Sequence, residues 1–292
     1  MTSETWTHDT LTTNGVTLHY VTQGQGDLML MLHGFPEFWY SWRHQIPEFA
    51  QHYKVVALDL RGYNDSDKPE SVDAYRMEEL VKDVNGAIHA LGYDRCILVG
   101  HDWGGAIAWS FAYAHPDRVD RLIVMNLPHP AKFVAGLKTP QQLLRSWYIF
   151  FFQLPILPEL VLWWDDYRMV AAAFADMAIN KSAFTPEDLD AFKTAAAKRG
   201  ALTAMLNYYR ANFGRDNRLN RPWDKLLIPT LLIWGEKDAA LGVELTYGTE
   251  DYVEDLKICY IPNCSHWVQQ EQPQLVNQYM RDFLDRDDLS VE

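Results

Sequence analysis

Gly100-His101-Asp102-Trp103-Gly104-Gly105 follows directly on the apolar run Cys96-Ile97-Leu98-Val99. This is the small-x-nucleophile-x-small pattern of a sharp strand-to-helix turn, with aspartate where an esterase carries serine. Flanking glycines let the backbone turn tightly and lift one side chain to the mouth of a sheet. A carboxylate there suits displacement at saturated carbon, whereas serine leads to acyl transfer. The residue types narrow the chemistry to attack on an epoxide or a carbon–halogen centre, followed by hydrolysis of the alkyl ester.

Such a reaction needs a base, an acid to orient it and a site for negative charge. His33-Gly34-Phe35-Pro36-Glu37 follows a strand and opens a loop, so the N–H of Phe35 and that of Trp103 can form an oxyanion hole. Cys264-Ser265-His266-Trp267 follows the last strand and supplies His266 as base, and Trp234-Gly235-Glu236-Lys237-Asp238 ends a strand and supplies Asp238 to orient the imidazole. One histidine or one aspartate in such a place is more often structural. Four elements in the order nucleophile, acid, histidine, each at a strand's C-terminal end, match the α/β-hydrolase fold.

The elements that must position these groups are legible as alternating apolar and amphipathic stretches. Val16–Val21 and Leu28–Leu32 read as a hairpin pair around Gly24-Gln25-Gly26, and Val55–Leu60 as a buried strand. Met77, Leu80, Val81, Val84, Ile88 and Leu91 repeat at helical spacing, with Gly92 as the stop. Further buried strands follow at 96–99, 122–125, 230–234 and 258–261, and Leu275, Val276, Tyr279, Met280 and Phe283 mark a last amphipathic helix. The expectation is an α/β chain with a mostly parallel sheet flanked by helices.

Between Pro130 and Pro222 the strand pattern vanishes. Thr185-Pro186-Glu187-Asp188 is a helix start with a cap, a first-turn proline and acidic residues at the positive dipole end, and Gly200 closes that helix. The organisation predicted is a hydrolase core in two parts, 1–130 and 223–292, with an inserted helical cap over 131–222 that serves as a lid on the ligand entrance. Trp147–Trp164 is nearly as apolar and as long as a membrane span, but Pro155, Pro158, Gln153 and Glu159 interrupt it. Two short helices lining a pocket fit better. Phe150, Phe151, Phe152, Trp163 and Trp164 suggest an apolar ligand.

Composition removes other classes. The 292 residues carry a formal charge of -13, which repels phosphate backbones and argues against nucleic acid as a partner. Cys96, Cys259 and Cys264 are odd in number and lack CxxC spacing, against a disulfide framework and against a zinc site. The polar stretch Met1–Thr13 lacks the basic start and apolar run of a secretory signal, so a cytoplasmic setting is expected. The charged tail from Asp285 to Glu292 is expected to fray.

Over nearly its whole length the chain resembles the soluble epoxide hydrolases. The resemblance is carried by His33–Glu37, Tyr40-Ser41-Trp42-Arg43, Asp59-Leu60-Arg61-Gly62-Tyr63, the Asp102 turn and the His266 segment. It implies Asp102 as nucleophile, Asp238 as acid and His266 as base. It also implies two cap tyrosines that hydrogen-bond the epoxide oxygen, matching Tyr148 and Tyr209, with Tyr208 the neighbour that competes for the second place. Phe35, Trp103, Phe151 and Phe152 are the expected substrate contacts. After Arg61-Gly62-Tyr63 the family commonly has glycine where this chain has Asn64, a residue that tolerates a left-handed backbone. The implied reaction takes an apolar epoxide and water to a vicinal diol with no metal or organic cofactor, no stable membrane insertion, and a monomer or homodimer. Two other readings share the machinery: a haloalkane or haloacetate dehalogenase, and a non-catalytic ligand-binding homologue.

Overall fold

A computed structural model of the protein describes residues 6–213 and 223–286. Runs of Val, Ile, Leu and Met too apolar to leave either face in water pair into one eight-stranded sheet. Its strands are β1 (Thr7–Thr13), β2 (Val16–Gln23), β3 (Leu28–Leu32), β4 (Lys54–Leu58), β5 (Cys96–His101), β6 (Val119–Met125), β7 (Thr230–Gly235) and β8 (Leu256–Ile261), in the spatial order β1-β2-β4-β3-β5-β6-β7-β8. The β1–β2 and β2–β4 pairs are antiparallel and the remaining pairs parallel. Every residue of β3, β5 and β7 is buried.

The helices in chain order are α1 (Ile46–Phe49), α2 (Met77–Ala90), α3 (Trp103–Ala114), α4 (Pro130–Gly136), α5 (Pro140–Arg145), α6 (Trp147–Phe151), α7 (Leu157–Ala175), α8 (Pro186–Ala197), α9 (Ala201–Asn212), α10 (Val268–Glu271) and α11 (Pro273–Leu284). α3 packs on β3, β5 and β6, α1 on β2 and β4, and α11 on β7. This is the α/β-hydrolase architecture expected from the strand and helix alternation.

One pairing differs from expectation. β2 and β3 are not a hairpin, because β4 lies between them and takes β2 antiparallel and β3 parallel. Gly24 (φ +81°) and Gly26 (φ +108°) turn the chain away instead of folding it back on itself. Alternation identifies a strand but not its partner, so a local reading defaults to the nearest one. β1 carries no such signal, since five of its seven residues are exposed and it has almost no apolar run.

Residues 130–213 hold helices and no strand, and residues 214–222, where the predicted cap boundary falls, lie outside the described residues, as do 1–5 and 287–292 of the tail. Thr185 makes the anticipated capping box with Asp188. The apolar stretch from Trp147 breaks between α6 and α7 at Ile156 (φ +68°), and α7 is itself interrupted by non-helical backbone from Trp164 to Tyr167. Among the described residues no helix is long and apolar enough to cross a membrane. Phe150, Trp163 and Trp164 face outward rather than into a pocket, at 58%, 57% and 72% exposure.

The loop after β4 is pinned to α2 by a buried fork: Arg61 donates from Nε to Asp83 Oδ2 (2.7 Å) and from Nη2 to Oδ1 (2.6 Å). Asn64, four residues after β4's following Leu60, takes the left-handed conformation (φ +39°) that its type permits. Removing one partner of a buried pair strands the other charge. Asp83→Ala is therefore expected to lower unfolding free energy by about 3–5 kcal/mol in urea titration, against a small change for the exposed Arg76–Asp73 pair.

Candidate active site

Asp102 sits between β5 and α3 with φ +47° and ψ -121°, a backbone conformation costly for any residue with a Cβ. The flanking glycines do not share this conformation; they clear space. A Cβ on Gly104 would lie 2.0 Å from the Leu32 carbonyl oxygen, and one on Gly34 would lie 2.4 Å from the Asp102 Cβ. The strain thus falls on Asp102 itself, and the loop after β3 can press against its carboxylate. Phe35 N–H donates to Asp102 Oδ1 at 2.8 Å. Trp103 opens α3, where the first amides have no partner within the helix and point toward the turn.

His266, in the turn after β8, places Nε2 3.6 Å from Asp102 Oδ2 and Nδ1 2.6 Å from Asp238 Oδ2. Asp238 is buried, and its carboxylate is held by three further donors. Asn126 Nδ2 donates to Oδ2 (2.8 Å), and the amides of Ala240 (2.8 Å) and Leu241 (3.0 Å) donate to Oδ1. Asn126 directly follows β6 with φ +41° and accepts the Gly235 amide, so the neutral residue beyond that strand end braces Asp238.

Electrostatics follow from these contacts. Burial pushes the Asp102 carboxyl up, but the His266 hydrogen bond and charge, His101 and the Phe35 amide overcome it, so Asp102 lies below the usual carboxylate range. Asp238 is likewise held down against burial, chiefly by His266. Burial disfavours the His266 imidazolium, yet Asp238 and Asp102 on its two sides raise it well above an ordinary histidine.

A second acid–imidazole pair lies beneath the first. His101 Nε2 donates to the His266 carbonyl (2.8 Å), and its Nδ1 lies 2.7 Å from Glu37 Oε2; both side chains are fully buried. Glu37 also accepts the Gly34 amide (2.8 Å) and the side-chain amides of Gln269 (3.0 Å) and Gln270 (2.8 Å). The pair ties the Phe35 loop, the Asp102 turn and the His266 turn together. Sequence reasoning quoted both residues but gave them no role, because their partners are far apart in the chain.

Aromatic rings close the space above Asp102. Tyr209 lies edge-on to Trp103 (5.1 Å between ring centres), Phe35 (5.4 Å), Phe152 (4.9 Å) and Tyr148 (6.0 Å). Burial, then the Asp102 charge, raises both the Tyr148 and the Tyr209 phenols, while a hydrogen bond from Trp103 works the other way at Tyr209. Tyr208 turns away, donating to the Arg61 carbonyl at 2.7 Å. Phe152 reaches Phe35, whereas the ring neighbours of Phe151 are Trp147 and Phe152.

Residues 27–273 match the family model described as the alpha/beta hydrolase fold. Epoxide hydrolase 3 of Xenopus tropicalis is 45% identical over 282 residues, covering 94% of this chain and 76% of that one; epoxide hydrolase 1 of Caenorhabditis elegans is 43% identical, covering 97% and 71%. A mutant epoxide hydrolase from Bacillus megaterium, solved with its product (R)-3-[1]naphthyloxy-propane-1,2-diol, superposes with a TM-score of 0.90 at 38% identity, covering 95% of this chain and all of that one. The chain belongs to the epoxide hydrolase family of the α/β-hydrolases.

Because the folded His266 value is raised above the unfolded value of about 6.5, its protonation stabilises the fold fully below that pH and loses effect as pH rises through the raised value. The melting-temperature gap between wild type and His266→Gln, followed by calorimetry, should be widest near pH 6 and narrow as the solution is made alkaline.

Proposed function

We propose that the chain converts an apolar epoxide and water to a vicinal diol through an alkyl ester on Asp102, within a core of residues 1–130 and 223–292 closed by a cap over 131–222. The observation that carries this reading is the placement of two phenols, Tyr148 and Tyr209, in one aromatic cluster with Trp103 and Phe35 beside an ionised Asp102. A phenol whose proton is held by burial is a donor throughout the neutral range. Such a donor suits an epoxide oxygen, which gains negative charge as the ring opens.

In the first step an Asp102 oxygen forms a bond to a ring carbon while the carbon–oxygen bond of the epoxide breaks. The new alkoxide takes a proton from a tyrosine, and the imidazolium of His266 returns one to the site through solvent. With Asp102 esterified, one of the two charges that held the imidazolium is gone, so His266 gives up its proton more readily and stands neutral, able to accept one. It then removes a proton from water, whose oxygen attacks the ester carbonyl; the Phe35 and Trp103 amides receive the oxyanion. Collapse breaks the carbon–oxygen bond to the product and passes the carboxyl proton to the leaving alkoxide. Asp102 is again a carboxylate, and His266 again carries its proton.

Phe35, Trp103, Phe152 and Phe151 form the apolar wall of the substrate site, and the aryl diol named for the Bacillus megaterium enzyme is of the class such a wall favours. Three buried free cysteines fit a reducing, cytoplasmic setting. A dehalogenase would use the Trp103 indole N–H to cradle halide; here the Tyr209 ring packs edge-on against that indole at 5.1 Å, and the paired phenols favour the epoxide.

A single turnover of styrene oxide in heavy-oxygen water, with enzyme in excess, should place the label on Asp102. Label in the diol alone would refute an ester intermediate, and bromide release from bromoalkanes without diol formation would favour the dehalogenase. His266→Gln should accumulate protein heavier by the substrate mass, seen by intact-mass spectrometry. Tyr209→Phe should lower kcat/KM about 10²-fold or more with the melting temperature little changed.

A further inference from the structure

We infer that Glu271 is a positioning residue for His266, and that it fixes the base turn and the seat of the helical segment with one carboxylate. The proposal rests on the reading of His266 as the base. Glu271 ends α10, is 3% exposed, and takes two uncharged donors on each oxygen. On Oε1 it receives the Ser265 amide (3.0 Å) and the Ser265 hydroxyl. On Oε2 it receives the amides of Ile179 (2.8 Å) and Asn180 (2.9 Å), which lie just after α7.

Four donors fill the acceptor capacity of an ionised carboxylate, and three of them are backbone amides that would otherwise be buried without partners. The Ser265 hydroxyl, while donating to Glu271, also accepts the Trp267 amide (3.4 Å). Backbone on both sides of His266 is thereby gripped, and the His266 carbonyl is held from below by His101. A close backbone approach completes the clamp: a Cβ on Gly235 would lie 2.0 Å from the Ser265 carbonyl oxygen. On the side of the helical segment, Trp267 Nε1 donates to the Ala173 carbonyl (3.0 Å) and its ring packs on Phe174 (4.5 Å between centres). Glu271 and Trp267 thus bind the end of α7 to the turn that carries the base. If the segment shifts at 179–180, Ser265 loses its anchor, and the ring of His266 is free to leave the line between Asp102 and Asp238.

A merely structural clip would slow both chemical steps alike. A positioning residue for the base acts on ester hydrolysis, which needs His266 as base, more than on ester formation by Asp102 and the tyrosines. Glu271→Gln keeps the shape but presents an NH2 group to donors. Its amides at 179, 180 and 265 should exchange hydrogen about tenfold faster or more. The downfield proton resonance of the His266–Asp238 hydrogen bond should shift or broaden, and single-turnover ester hydrolysis should slow about tenfold more than ester formation. Ser265→Ala keeps the contact to 179–180 and should move the His266 resonance while leaving exchange there unchanged; it also carries the test if Glu271→Gln does not fold. An unchanged His266 resonance in both variants, or equal slowing of both steps, would overturn the proposal. If the wild-type protein forms no ester, the reading of the reaction fails, whereas the exchange and resonance measurements still decide whether Glu271 governs His266.

Discussion

Negative charge buried beside a single imidazole is the constraint on which this structure turns. Asp102 and Asp238 face His266 from opposite sides, with Glu37 and Glu271 a residue or two away from the same backbone. Four carboxylates in so small a volume would repel one another and the protein interior if left to themselves. Each is instead solvated by fixed donors: loop amides for Asp238 and Glu271, the Phe35 amide for Asp102, glutamine side chains and a histidine for Glu37. These donors cost nothing to reorient when charge moves, which distinguishes them from water.

The parallel part of the sheet makes this possible. Strands β3, β5, β6, β7 and β8 run side by side in the same direction, so their C-terminal ends deliver Phe35, Asp102, Asn126, Asp238 and His266 to one edge. Positions far apart in the chain become neighbours through register alone. The positive φ values at Asp102 and Asn126 are the local cost of aiming side chains upward from strand ends. A fully buried, close-packed sheet beneath is what holds them there.

Much of this is legible in the amino-acid sequence alone. The Asp102 turn, the order of acid and histidine, and the parallel strands all rest on local residue patterns, and the left-handed turn at Asn64 followed from side-chain type. What escaped reading was non-local. The partner of β2 depends on a strand some thirty residues on, the Glu37–His101 pair joins residues 64 positions apart, and Glu271 acts on a loop 91 and 92 positions away. The aromatic residues of the helical segment mislead for another reason: hydrophobicity marks Phe150, Trp163 and Trp164 as interior, yet the break at Ile156 and the kink after Trp163 turn them to solvent.

Choice between two adjacent tyrosines shows how packing settles what pattern leaves open. On α9, Tyr208 and Tyr209 differ by about 100° in direction, so one fixes the other. Tyr208 goes to the Arg61 carbonyl, and Arg61 is itself locked to Asp83 on α2. That chain of contacts, wholly inside the core, sets the rotation of α9. Tyr209 is left no direction but toward Trp103, Phe35 and Phe152. The Arg61–Asp83 ion pair thereby determines which phenol packs against Phe35 and Phe152.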